Sequence, residues 1–190
     1  ADYSAEVATL ASAGGDAVAV IGYLDQGGKG IIQGALDSGA FDTFILSDGM
    51  IGDSLTDAFG KSLNKSFGSL PGSTGKGAGV FATVAGDAGI DPSGPYTGES
   101  YDAAALIVLA MQASGSADRK GIADNVMAVA NAPGKKIYPG QLKKALDLLA
   151  KGKAVDYEGA TGVMFTEVGE AEGSFLEKEV KGGKFKTKKQ

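Results

Sequence analysis

The sequence predicts an α/β fold in which helices flank a parallel β-sheet. Two short, almost continuously apolar runs, 16–22 and 43–46, have the length of strands that are buried on both faces, as in parallel sheets. Segments with apolar residues at helical spacing precede, separate and follow these runs, so helix and strand alternate along the chain. The 31 glycines among the 190 residues are scattered between the apolar segments and indicate many tight turns.

The first ninety residues supply most of the predicted sheet. Helices are expected at 4–13, 30–38, 55–59 and 79–88, and strands at 16–22, 43–46 and, less regularly, 66–70. Gly39 closes the second helix, because glycine readily takes the left-handed conformation that ends many helices. Ligands of open α/β sheets bind beyond the carboxyl ends of parallel strands. The loops 22–25 and 47–50 occupy that position and are the first places to expect a binding site.

The most distinct helix of the second half covers 96–115. Thr97 or Ser100 is expected to cap its start, and Gly115 its end. No charged residue occurs from 103 to 113, which predicts a helix buried on more than one side. Further predicted elements are helices at 119–130 and 139–150, the latter opened by Pro139, a strand at 163–166 and a hairpin over 174–185.

The composition excludes several kinds of chemistry. The chain has no His and no Cys, which removes the commonest general base, the commonest metal ligand and any thiolate. A net charge of −5 argues against nucleic acid as a partner. We therefore expect a protein that is not an enzyme, with no catalytic residues, no metal site and no cofactor.

A nucleotide-binding α/β enzyme domain is the alternative from a different class. The stretch 70–77 contains Gly75-Lys76 and approaches the phosphate-binding loop pattern. That pattern needs glycine where Leu70 stands and Ser or Thr where Gly77 stands. The stretch departs from the pattern at both positions, which disfavours this alternative.

Three motifs resemble one known family. They are YTGESYDAA at 96–104, NAPG at 131–134 and AVDYEGATG at 154–162. Together they are similar to the type I periplasmic solute-binding proteins, above all to the branched-chain amino-acid (Leu/Ile/Val) binding group of ABC importers. In that family two α/β lobes close over an amino acid.

The resemblance implies an incomplete two-lobe architecture that corresponds to the C-terminal half of the family. Residues 1–94 would form most of the second lobe, and 95–172 would supply helices and a strand of the first lobe. Residues 173–190 would return to the second lobe as a C-terminal hairpin. We expect the chain by itself to aggregate or oligomerise, because the apolar helix at 96–115 would lack its partner sheet. A missing N-terminal half or a second chain would complete the fold.

Site residues follow from the same resemblance. Tyr23 matches an aromatic residue that packs on the ligand, and Asp48 matches the acidic residue that binds the ligand ammonium. Tyr96 corresponds to an aromatic residue at the crossing between lobes, and Asp25 and Met50 are further candidates. The family's carboxylate-binding residues lie outside this sequence.

The implied function is that of a periplasmic or otherwise extracytoplasmic solute-binding component of an ABC importer. Its ligand would be a branched-chain or similar amino acid, and its protein partner the membrane permease. A sensory or regulatory ligand-binding domain of the same fold is an open alternative.

Overall fold

The chain, described by a computed structural model over residues 2–188, divides into two compact units. Unit 1 comprises the described residues up to Pro71 together with those from Phe175 onward, and unit 2 spans Gly72–Ser174. The boundaries expected from the sequence, at 94/95 and 172/173, concern the lobes of a two-lobe protein, and that assignment stays a prediction. The terminal residues of the chain, Ala1, Lys189 and Gln190, lie outside the described residues.

Helices and strands alternate through much of the described chain. The α-helices are α1 (Ser4–Ala13), α2 (Lys29–Ser38), α3 (Asp53–Phe59), α4 (Lys76–Asp87), α5 (Thr97–Ser114), α6 (Arg119–Ala130) and α7 (Leu142–Leu149). The strands are β1 (Val18–Val20), β2 (Phe44–Leu46), β3 (Phe67–Pro71), β4 (Lys135–Ile137), β5 (Val155–Tyr157), β6 (Met164–Phe165), β7 (Ala171–Glu172), β8 (Phe175–Lys181) and β9 (Lys184–Thr187). Short helical turns at Leu24–Gly28, Asp48–Met50 and Gly60–Leu63 interrupt the loops of unit 1.

Unit 1 is built on a five-stranded sheet with the order β1-β2-β3-β8-β9. The first three strands are parallel, and the final hairpin joins the edge in antiparallel orientation. This arrangement confirms the predicted α/β fold with a mainly parallel sheet and flanking helices. Its core consists of the inward residues of the strands and the apolar faces of the helices, including Val18, Val20, Ile32, Phe44, Leu46, Leu55 and Val180.

The other face of this sheet differs from the prediction. The apolar runs predicted strands buried on both faces, but β1 and β2 alternate between buried and exposed residues. Ala19, Ile45 and Phe67 share one row across β1, β2 and β3, and all three are exposed. Within unit 1 no element buries this row, so these three side chains are exposed.

Unit 2 packs its helices around a second core. One face of α5 contacts α6 and α7, and β5 packs on those two helices. The core of these elements includes Leu106, Leu109, Val129, Ile137, Ala145, Val155 and Tyr157. The parallel pair of β4 and β5 was not predicted. The helix predicted at 139–150 begins only at Leu142, so Pro139 lies in the preceding turn rather than in the first helical turn.

Helix α5 departs from its prediction in two respects. Neither Thr97 nor Ser100 caps it: Tyr96 is the N-cap residue, and its side chain makes no capping hydrogen bond. The burial on more than one side is also wrong, since Ile107 and Val108 on the outer face are 44% and 38% exposed. The predicted end is confirmed, because Gly115 has a left-handed φ of 67°. Among the described residues, no helix combines the length and the apolarity that crossing a membrane requires.

Candidate ligand-binding site

Two loops of unit 1 meet beyond the carboxyl ends of β1 and β2. Ser47, the residue after β2, joins them: its hydroxyl accepts from the Gly22 N–H at 3.2 Å and lies 3.3 Å from the Gly22 carbonyl oxygen, to which it can donate. The Ser47 N–H also donates to the Val20 carbonyl at 3.2 Å. The parallel register of the two strands, which pairs Val20 with Leu46, brings both loops to the same edge. This edge is where an α/β sheet binds its ligands.

Tyr23 lies on this edge against the second loop. A Cβ atom placed on Gly49 would come within 2.8 Å of the Tyr23 ring, so only glycine lets the ring approach so closely. The Tyr23 side chain is still 64% exposed. The ring therefore lies against the second loop and remains largely exposed, as suits an aromatic wall of a binding site.

Asp48 begins the helical turn Asp48–Met50 on the same edge and is exposed. Its carboxylate oxygen Oδ1 accepts from the N–H of Gly49 at 2.7 Å, which orients the side chain within the turn. An exposed carboxylate oriented in this way has the charge and the acceptors that a ligand ammonium requires.

The two further candidates of unit 1 have different surroundings. Asp25 is exposed and forms an ion pair with Lys29 at 2.8 Å, one helical turn along the chain. Met50 is fully buried, and its sulfur lies where any side chain on Gly28 would stand. The structure therefore places Met50 under the loop as part of the core, and Asp25 at the solvent-exposed start of the loop.

Tyr96 belongs to unit 2. It is the one residue other than glycine, among residues 2–188, with a left-handed backbone (φ 60°). Such a conformation costs a residue with a side chain about 1–3 kcal/mol. Its ring is 40% exposed and lines a cavity beside the start of α5.

The structure also shows a buried carboxylate, that of Asp102, which was not predicted as a site residue from the sequence. Asp102 is buried on α5, and its carboxylate accepts four hydrogen bonds from the last residue of β5 and the segment that follows it. The donors are the Tyr157 hydroxyl at 2.9 Å and, at 2.8 Å each, the Ala160 N–H, the Thr161 N–H and the Thr161 hydroxyl. Asp102 thereby ties the 157–161 segment to α5.

Burial and the adjacent Asp102 carboxylate raise the pKa of Tyr157 above the usual range of a tyrosine. The first cause is desolvation of the phenolate, and the second is repulsion by the negative charge of Asp102. Tyr157 consequently remains a neutral hydroxyl that can donate to Asp102 at any physiological pH.

The structure gives little support to a phosphate-binding loop or a metal site in unit 2. A Cβ on Gly77 would collide with the Gly159 carbonyl oxygen, so the start of α4 packs on protein backbone, and the Lys76 ammonium lies 4.6 Å from the Tyr138 ring centroid. This packing differs from an open phosphate-binding loop. Within the described residues, no cluster of three or more His, Cys, Asp or Glu could hold a metal ion.

Comparison with known structures identifies the class of fold. Residues of this chain superpose on the leucine-binding protein LivK of Thermotoga maritima MSB8 with a TM-score of 0.73 and 21% identity, covering 99% of this chain and 48% of that one. A type 1 periplasmic binding protein of Bordetella pertussis Tohama I gives a TM-score of 0.67 and 18% identity, covering 98% and 49%. The resemblance in fold to type I periplasmic binding proteins is thus confirmed, and the chain spans about half the length of these solved structures.

One curated relative adds a match in sequence. The chemotactic signal transduction system substrate-binding protein BasB of Halobacterium salinarum is 39% identical over 71 residues, which are 37% of this chain and 17% of that protein. No family model matches the chain. All three named relatives are binding proteins.

Proposed function

We propose that the chain is the ligand-binding, non-catalytic C-terminal half of a solute receptor that binds an amino acid. The observation that carries this proposal is the edge of unit 1, where the Tyr23 ring and the Asp48 carboxylate stand on two adjoining loops. An amino acid needs an anion for its ammonium, and Asp48 provides one. Tyr23 supplies an apolar surface for the carbon skeleton.

The remainder of the site lies outside this chain. The carboxylate of the ligand would be held by residues of the first lobe, and closure of the lobes would occur by a hinge motion. Two uncovered apolar surfaces support this proposal: the row of Ala19, Ile45 and Phe67 on the sheet of unit 1, and the outer face of α5 with Ile107 and Val108. Such exposed surfaces are stabilised when further chain covers them.

The proposed setting is extracytoplasmic, with an ABC permease as the partner. The fold shared with periplasmic binding proteins supports this setting. A second candidate function is chemotactic sensing, which the 71-residue match to a chemotactic substrate-binding protein favours. Both functions use the same ligand site and differ in the membrane protein that receives the closed form.

Isothermal titration calorimetry of the gene product at its natural length tests the ligand class. Leucine, isoleucine, valine and the other amino acids are titrated individually, and we expect at least one to bind with a single site. Asp48→Asn should weaken that binding about 10- to 140-fold, because a hydrogen bond to a charged group contributes about 1.5–3 kcal/mol.

Asp37→Asn is the matched control. Asp37 is exposed and accepts a hydrogen bond from the Gln33 side-chain amide at 2.7 Å. At a rise of 1.5 Å per residue, it lies about 12 Å along α2 from the start of that helix. Asparagine can still accept that hydrogen bond, so affinity should not change. Equal affinities of the Asp48→Asn and Asp37→Asn proteins would exclude Asp48 as the ammonium ligand.

A further inference from the structure

Unit 2 contains an apolar cavity of about 510 Å³ between the C-terminal part of α4 and the first turn of α5. Its inner wall is rigid, because the rings of Phe81 and Tyr101 pack against each other with centroids 5.3 Å apart and Phe81 belongs to a buried cluster. Ala88, Ile90 and Tyr96 line its outer part. Ile90 is 53% exposed, so the cavity opens to solvent beside an apolar side chain.

Along the chain, the charged residues next to the cavity lining are acidic. From residue 77 to residue 118 the sequence contains no Lys or Arg, although the whole chain has 18. Acidic residues adjoin the lining residues in sequence: Asp87 precedes Ala88, and Asp91 follows Ile90. An apolar cavity beside exposed acidic residues favours an occupant that is apolar and positively charged.

The openness of the cavity and its charge limit the class of occupant. Sites for small molecules enclose most of the ligand surface, whereas here Ile90 and Tyr96 stand exposed at the border. An anionic membrane surface or a nucleic acid would be repelled by Asp87 and Asp91. A second copy would bring the same acidic border against itself across a symmetric interface.

We propose that this cavity, the α4–α5 groove, docks a segment of a partner protein that inserts a large apolar side chain flanked by Arg or Lys. The apolar side chain would rest on Phe81 and Tyr101, and the cations would face Asp87 and Asp91. The groove lies wholly within unit 2, so this docking does not depend on the amino-acid site of unit 1.

The probe is a fluorescein-labelled peptide with one Leu-Phe pair flanked on each side by two Arg. Fluorescence anisotropy with the gene product at its natural length should show saturable binding that weakens at least tenfold between 50 and 500 mM salt. A peptide with Glu in place of Arg, and one with Ser-Ser in place of Leu-Phe, should both bind at least tenfold more weakly. Equal binding of all three peptides, or no binding of the first, would overturn the proposal.

Substitutions in and beside the α4–α5 groove test whether the basic peptide binds there. Asp87→Lys should weaken binding of the basic peptide at least tenfold, while Glu167→Lys makes the same change in net charge at an exposed loop residue that does not line the groove and should leave affinity unchanged. Ala88→Phe fills the groove and should abolish binding. Ile90→Ser, which removes an exposed apolar side chain, gives the same test if Ala88→Phe fails to fold. Affinities that are unchanged in Asp87→Lys and Ile90→Ser would refute docking in the groove.

Discussion

Removal of the buried carboxylate of Asp102 is expected to be the most damaging single change in unit 2. In Asp102→Ala the Tyr157 hydroxyl and the Ala160 N–H, both in buried residues, lose their acceptor. Each unpaired buried donor costs about 1–3 kcal/mol, so we expect a loss of about 2–6 kcal/mol in the free energy of unfolding. The two Thr161 donors are half-buried and can turn to water, so they add little.

Asp102→Asn keeps the shape of the side chain but removes its charge and one of its two acceptor oxygens. If the remaining oxygen keeps the bonds of Oδ1, the new amide group faces the Thr161 N–H, and two donors meet. We expect a loss of about 1–3 kcal/mol, smaller than that of the alanine variant. In a Tyr157→Phe background the cost of Asp102→Ala should fall by about 1 kcal/mol or more, because one orphaned donor is no longer present.

Urea denaturation of the gene product at its natural length at neutral pH, followed by circular dichroism, measures these differences. Asp147→Asn is the control, since Asp147 lies exposed on α7 in an ion pair with Lys143 and should change stability by less than about 0.5 kcal/mol. If Asp102→Ala and Asp147→Asn have the same stability within about 0.5 kcal/mol, Asp102 does not hold the 157–161 segment to α5.

Three further predictions concern unit 2. Gly77→Ala should cost about 1–3 kcal/mol in urea denaturation because its Cβ would collide with the Gly159 carbonyl, whereas Gly79→Ala in the same helix meets nothing within 4 Å and should stabilise by about 0.5–1 kcal/mol; a reversed order would contradict this packing. Above pH 10 the unfolded chain loses the Tyr157 proton that the folded chain retains, so stability should fall with rising pH by up to about 1.4 kcal/mol per pH unit, and Tyr157→Phe should lack that component; identical slopes would exclude the raised pKa. Tyr96→Gly should raise the thermal midpoint, because glycine adopts φ 60° without the strain of about 1–3 kcal/mol; a lowered midpoint would show that packing of the ring outweighs the strain.

Features of the fold that depend on nearby residues were predictable. Gly39 and Gly115 end their helices in the left-handed conformation, as expected, because this property belongs to the residue itself. The exposed outer face of α5 could not be predicted from the apolar run itself, since a run without charges does not reveal whether anything covers it. The family resemblance, which implies that the partner sheet lies outside this sequence, did indicate it. Strands Lys135–Ile137 and Val155–Tyr157 were missed because three-residue strands that contain charged side chains show no apolar run.

The candidate site was predictable to the extent that strand topology determines it. Parallel strands bring their following loops to one edge, which is why Tyr23 and Asp48 stand on neighbouring loops. The burial of Met50 depends on the missing side chain of Gly28, a contact between different loops that sequence spacing does not show. The role of Asp102 could not be predicted, because its partners lie 55–59 residues further along the chain.

A crystal structure of the gene product at its natural length with a bound amino acid would test the central claim most directly. We predict that the ligand ammonium lies within hydrogen-bonding distance, about 3 Å, of the Asp48 carboxylate, with the Tyr23 ring against the ligand. An amino acid bound with its ammonium on other acceptors, away from Asp48 and Tyr23, would contradict the account.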